Sequence, residues 1–274
     1  MNILITGTSS GLGYSLANEF LKNGATVFGI SRRQNAALEQ YDDYHHLSQD
    51  LSFLDELPEA LVRFLQGVTT LDLVVLNAGT FPGKSLNGAI SVKELSVLMQ
   101  VNVWANKVII DSLLKTVHFI HQVVAITTGS LINNSRSLHT FALSKIILNR
   151  WIRLYAREVP QTHFTALFPG FVDSGLQEYI SQLPNDEQCP AVRKLQMMRQ
   201  KGLMIPPDHA ANYLVEAMGC AMQEESGSYK DIADLLALEP PVQEPAPEQN
   251  PMTSPLADKI RRMVGNSHRI HHGN

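Results

Sequence analysis

The stretch TGTSSGLG, Thr6 to Gly13, follows an apolar run and leads straight into a segment with helical spacing. Gly7, Gly11 and Gly13 let the backbone turn sharply and approach a pyrophosphate, whose charge then faces the positive end of the following helix. The whole turn, Gly7, Thr8, Ser9, Ser10, Gly11, Leu12 and Gly13, is therefore a candidate dinucleotide cradle; a structural glycine turn without a ligand is the bland alternative. About 20 residues on, an acid would accept hydrogen bonds from a ribose 2′-hydroxyl. Ser31, Arg32 and Arg33 stand there instead. A hydroxyl and guanidinium groups suit a 2′-phosphate, so the expected cofactor is NADP(H) rather than NAD(H), against the alternative of an exposed, unliganded arginine pair.

The elements that must hold these residues are legible from periodicity. Short apolar, β-branched runs begin at Asn2, Thr26, Leu71, Gln122 and Phe164. Between them lie segments of helical spacing, such as LGYSLANEFLKNG ending at Gly24 and VNVWANKVIIDSLLKTV from Val101. Strand followed by helix, repeated, implies an α/β chain with a parallel sheet covered on both faces. From about Glu239 the pattern stops: EPPVQEPAPEQNPMTSP holds six of the 14 prolines. Residues 237–255 are expected to be a linker, because they cannot bury enough to fold. The basic tail 256–274 could form a short amphipathic helix.

Composition excludes several classes of function. The chain has 274 residues, 44% of them hydrophobic, and a formal net charge of -4. It has no basic surplus for a phosphate backbone, so nucleic acid is not an expected partner. Cys189 and Cys220 have neither the number nor the spacing of a disulfide framework or a zinc site and are expected to be free thiols. His268, His271 and His272 lack cysteine or carboxylate companions, so no metal site is expected. MNILITG leaves no room for a charged leader, and no apolar run reaches the ~18 residues of a membrane span. A cytoplasmic protein is the expectation.

Taken together, the ordered motifs resemble those of the short-chain dehydrogenase/reductase family over about residues 1–236. TGTSSGLG is similar to its TGxxxGxG cofactor turn, and Asp50 with Leu51 to the site that contacts the adenine. Asn77, Ala78 and Gly79 match the NAG motif behind the fourth strand. FPGFVDSG, from Phe168, resembles the PG motif beside the nicotinamide, with Pro169, Gly170, Val172 and Ser174, the last in place of threonine. The resemblance implies a Rossmann-type doubly wound parallel sheet of about seven strands. It also implies a small carbonyl or alcohol substrate and a homodimer or homotetramer built on two helices, near Asn102–Val117 and Thr140–Val159. Val108, Ile109, Leu113, Ile147 and Trp151 would suit such an interface. Within the family, PGFVDSGLQEYI, GLMIPPDHAANYL and ESGSYKDIADL look most like the sepiapterin reductase and benzil reductase branch. Ser174 to Met204 is expected to be a lid, with Met197 and Met198 serving either an adaptable pocket or ordinary core filling.

The resemblance also locates a reaction centre, and there the chain departs from the pattern. The family uses an asparagine that holds a proton-relay water, a serine that orients the carbonyl, a tyrosine that gives or takes the proton, and a lysine that binds the nicotinamide ribose. The matching positions are Asn102, Thr128, Phe141 and Lys145. Thr128 keeps a hydroxyl, 13 residues before Phe141. Phe141 has none. None of the seven tyrosines has a lysine four residues later, so FALSK is the site and its acid is missing. Positioned acid-base catalysis is worth ~10²- to 10⁴-fold, so slow hydride transfer could survive. Tyr179, His139, Thr140 and Ser130 are the candidate substitutes. Two readings follow: an NADP(H)-dependent oxidoreductase with an altered proton route, or an inactive relative serving as a nucleotide-binding or scaffold protein. A non-redox step using Thr128 and Lys145 has little support.

Overall fold

The computed structural model describes residues 1–81, 90–129, 139–175 and 190–238. Seven strands form one sheet: β1 (Asn2–Thr6), β2 (Thr26–Ser31), β3 (Tyr44–Ser48), β4 (Thr70–Leu76), β5 (Phe119–Ile126), β6 (His163–Phe168) and β7 (Ser228–Asp231). Their order is β3-β2-β1-β4-β5-β6-β7, and every neighbouring pair is parallel. The order reverses between β1 and β4, which opens a crevice at the C-terminal strand ends.

Side chains alternate across this sheet with period two, as strand geometry requires. Ile3, Ile5, Val75, Val124 and Leu167 face one apolar layer; Leu4, Val74, Val123, Ala125 and Ala166 face the other. The first layer is closed by α1 (Gly11–Lys22) and by the helix Pro207–Ala221; the second by α2 (Leu57–Phe64), α4 (Ala105–Thr116) and α5 (His139–Glu158). The remaining described helices are α3 (Val92–Met99), α6 (Pro190–Gln200) and, after Pro207–Ala221 (α7), the short α8 (Ile232–Leu235).

Several boundaries differ from those read in the sequence. β3 and β7 carry too few apolar residues for a strand pattern, because both lie at sheet edges. The expected helix from Asn102 is two elements: a π-helical turn, Gln100–Trp104, runs into α4 at Ala105. Of the residues expected to meet a second subunit, Ile109 and Leu113 are buried in this chain's own core. Val108 and Trp151 pack at its margin. Exposed apolar side chains near these helices are instead Trp104, Leu143 and Ile146.

Met198 is buried and Met197 exposed on α6, so core filling describes the first of them. The base of the segment is stapled: Asp173 N–H donates to Ile205 O at 2.9 Å, Ile205 N–H to Phe171 O at 2.8 Å, and Arg199 pairs with Asp173 at 3.1 Å. Residues 176–189 of the expected lid, with Tyr179 and Cys189, lie outside the described residues. So do Ser130, the side chain of His139, all but Ala237 and Leu238 of the proline-rich stretch, and the basic tail. Cys220 is an exposed free thiol. Among the described residues, no helix is long and apolar enough to cross a membrane, and no group of three or more His, Cys, Asp or Glu could hold a metal.

Candidate active site

The glycine turn is built by close approach. Gly7 and Gly11 have φ of 82° and 58°, the left-handed region that favours glycine. A methyl on Gly13 would sit 2.2 Å from Gly7 O and 2.4 Å from Asn77 Nδ2, so helix, turn and β4 meet there without room for a side chain. α1 then starts at Gly11. Ser10, its N-cap residue, makes no side-chain capping bond, and the first turn carries no acid. The positive helix end is left facing the crevice, which fits the pyrophosphate of a dinucleotide. Ser174 closes over this turn: its Cβ would lie 3.5 Å from a methyl on Gly11. Leu12 and Val172 point into the core beneath.

Asn77 and Ala78 are held from below. Both backbone N–H groups donate to Thr6 Oγ1, at 3.0 and 2.9 Å, and Asn77 Nδ2 donates to Thr6 O at 3.0 Å. The motif after β4 is thereby tied to the end of β1, and its asparagine side chain is committed to the scaffold. At the other end of the crevice, Arg32 and Arg33 are exposed, while Ser31 is buried. Asp50 accepts from Ser52 N–H at 2.9 Å and Ser52 Oγ at 2.8 Å. Burial pushes its carboxyl up, but the Ser52 bonds and Arg32 outweigh that and hold it below the usual range. Leu51 is part of the core, so only its backbone is left to meet a ligand.

The reaction-centre residues converge on the ends of β4 and β5. Asn102 lies in the π-helical turn, where the ladder is interrupted and a side chain is re-aimed. Its Oδ1 accepts from Thr80 N–H at 2.8 Å, and its Nδ2 donates to Thr80 O at 3.0 Å and to Ser144 Oγ at 3.1 Å. Its carbonyl accepts from Asn106 Nδ2 at 2.9 Å. Asn102 is thus a clamp that fixes the segment after Gly79 against α5. Ser144 completes it by donating to Phe141 O at 2.7 Å.

Lys145 extends from α5 beneath this clamp and is 5% exposed. Its Nζ donates to Ile126 O at 3.0 Å and would lie 3.5 Å from a methyl on Gly79. Burial without a carboxylate partner pushes the amine down to about 8. Phe141 is 8% exposed; its ring centre lies 5.2 Å from that of Phe81 and 5.9 Å from Lys145 Nζ. Thr128, just beyond β5, is half-buried, and its neighbour Thr127 buries an Oγ1 that has no partner among the described residues. Gly129 touches the edge of Phe168, where a methyl would come within 2.8 Å of the ring. Pro169 and Gly170, the latter at φ 76°, then carry the chain out of β6. Thr140 is half-buried at the start of α5.

The structure therefore brings together Asn102, Phe141 and Lys145, and separately Gly7, Gly11, Gly13, Asn77 and Ser174. Thr80, Ser144, Tyr44 and His46 join these residues without any motif or spacing that marks them. A serine just before Lys145 was visible, but nothing in its spacing tied it to Asn102.

A single parallel sheet of this order, a glycine cradle at its switch point and a buried lysine at the ends of β4 and β5 define a nicotinamide-dinucleotide oxidoreductase architecture. A model of the short chain dehydrogenase family matches residues 1–184, and the chain belongs to that family. A benzil reductase ((S)-benzoin forming) from Bacillus cereus is 26% identical over 227 residues, 76% of this chain and 90% of its own. An NADPH-dependent pterin aldehyde reductase from Arabidopsis thaliana is 27% identical over 189 residues, 64% and 76% of the two chains. A solved short-chain dehydrogenase/reductase from Saccharomyces cerevisiae shares the fold, with a TM-score of 0.75 at 20% identity over 87% of this chain and 99% of that one.

Proposed function

We propose that this chain is an NADP(H)-dependent oxidoreductase of the benzil and sepiapterin reductase type. It acts on a carbonyl or alcohol at an atypical site in which Phe141 replaces the family's tyrosine acid. The observation that carries the reading is Lys145, buried without a counter-charge against Gly79 and Ile126 beside a complete cradle. An isolated buried ammonium is costly, and retention of one suits a ligand that uses it.

The bound nicotinamide supplies or accepts the hydride. The turn from Gly7 to Gly13 and the start of α1 hold the pyrophosphate; Ser31, Arg32 and Arg33 receive the 2′-phosphate; Asp50 meets the adenine. Lys145 has two N–H donors beyond the one given to Ile126, and these reach the nicotinamide ribose. Thr128 donates to the carbonyl oxygen. Phe141 supplies packing and no proton, so the alkoxide is protonated by solvent or by another side chain. Tyr179, His139, Thr140 and Ser130 are the candidates. The bacterial benzil reductase and the plant pterin aldehyde reductase both reduce carbonyl compounds, which supports this direction.

A second reading, a nucleotide-binding scaffold without turnover, is favoured by Phe141 itself, whose buried hydrocarbon edge offers nothing to an alkoxide. NADPH oxidation over a panel of ketones, aldehydes and diketones separates the two. Slow turnover with at least one carbonyl is expected; tight NADPH binding with no turnover on any would leave the scaffold reading. Trp104, Leu143 and Ile146 support a homodimer or homotetramer, and the cytoplasm is the compartment that suits the free thiol Cys220.

A further inference from the structure

Four side chains form a hydrogen-bonded row: Thr8 just past β1, Ser31 at the end of β2, and Tyr44 and His46 on β3. Tyr44 OH lies 2.9 Å from Thr8 Oγ1, Thr8 Oγ1 3.4 Å from Ser31 Oγ, and Ser31 Oγ 3.0 Å from His46 Nε2. Ser31 Oγ also donates to Arg33 O at 2.9 Å. A hydroxyl has one hydrogen. With that hydrogen given to Arg33, the bond to His46 forms only if the imidazole Nε2–H donates to Ser31 Oγ.

We propose that His46 is a positioning residue for a ribose 2′-phosphate: its Nε2–H fills a lone pair of Ser31 Oγ, freeing the serine hydrogen to turn from Arg33 O to a phosphate oxygen. This rests on the NADP(H) reading and adds to it a proton on β3. The row imidazolium, hydroxyl, phosphate strengthens each bond in turn, and the ligand's charge meets a cation one hydroxyl away. Burial holds the imidazole below its usual value, outweighing the Ser31 backbone and Glu39, in the segment between β2 and β3, which favour its second proton. On its own strand, the Tyr44 ring lies 6.2 Å away, and burial keeps its phenol neutral despite the bond to Thr8. Arg32 and Arg33 follow Ser31, and Arg32 acts on Asp50. An arriving dianion shifts this balance, so binding takes up a proton near neutral pH.

The test is calorimetric titration of the full chain with 2′,5′-ADP and with 5′-AMP between pH 6 and 8.5, in two buffers of different ionisation enthalpy. Wild type, His46→Gln and His46→Phe are compared. Wild type should bind 2′,5′-ADP about 10-fold more tightly at pH 6 than at pH 8 beyond any change shared with 5′-AMP, with proton uptake at neutral pH. His46→Gln, which keeps an N–H donor without the charge, should lose most of that uptake and retain binding at pH 8 within about threefold. His46→Phe should weaken 2′,5′-ADP about 10-fold and leave 5′-AMP unchanged. A preference for 2′,5′-ADP whose pH slope and proton uptake are the same in His46→Gln overturns the role of His46 alone. No preference for 2′,5′-ADP in wild type overturns the NADP(H) reading beneath it. Proton uptake by wild type can be read even if a variant fails to fold.

Discussion

Lys145 Nζ stands 5.9 Å from the centre of the Phe141 ring, in a site where burial is the only influence that moves its charge. An aromatic face attracts a cation weakly at this distance, and no carboxylate offsets the loss of water. Burial therefore lowers the amine to about 8, still above neutral pH, with consequences for stability as well as binding.

Without cofactor, the protein should become more stable as pH rises from about 8 towards 10.5, the folded and ordinary values for Lys145. Below this window both folded and unfolded chains carry the proton, and the folded chain bears the burial cost. Within it the folded state releases the proton while the unfolded state keeps it, so stability rises with pH. The gain attributable to this one group is of order 3 kcal/mol. Denaturant titrations of wild type and Lys145→Met across the window read it as a difference; parallel pH profiles would remove the claim.

Gly13→Ala should abolish dinucleotide binding and lower stability by about 1–3 kcal/mol, since its methyl would meet the backbone oxygen of Gly7 at 2.2 Å. Thermal unfolding with and without NADPH checks both. Wild-type affinity in the variant would mean that turn, helix and β4 are not in this contact.

Asn102→Ala leaves Thr80 N–H, Thr80 O and Ser144 Oγ without the partners described above. A loss of about 2–4 kcal/mol and weaker NADPH binding are expected. Ser144→Ala should cost less, because Asn102 keeps both bonds to Thr80. Equal stability of Asn102→Ala and wild type would dispose of the clamp.

Leu143 and Ile146 are 50% and 43% exposed. In a dimer built on α5 the pair Leu143→Glu and Ile146→Glu should convert the assembly to monomers at micromolar concentration, by buried charge. Sedimentation velocity reads this; a wild-type monomer, or an unchanged oligomer in the variant, contradicts that interface.

The parts legible in the sequence are those where one residue type has one physical use. Gly7, Gly11 and Gly13 announce a turn that admits no side chain, and the runs at Asn2, Thr26, Leu71, Gln122 and Phe164 are buried on both faces and read as strands. The edge strand Tyr44–Ser48 was hidden because His45 and Ser48 face water and break the apolar run. The π-helical turn at Gln100–Trp104 leaves no compositional trace, since one extra residue per turn changes aim and not hydrophobicity. The NAG motif marks Asn77 in the sequence, yet whether its amide faces ligand or scaffold depends on Thr6, 71 positions away. The bonds of Ser31 to His46 and Ser144 to Asn102 were unreadable for the same reason: each joins residues distant in sequence through groups that also occur at random on surfaces.

The measurement that bears most directly on the central claim is NADPH oxidation by Phe141→Tyr beside wild type, on the same carbonyl panel and with matched cofactor affinity. A phenol at this position, close to Lys145, should raise carbonyl reduction by about 10²- to 10⁴-fold. Unchanged turnover in a folded, NADPH-binding variant would contradict the account, because a missing tyrosine oxygen would then not be what sets this site apart.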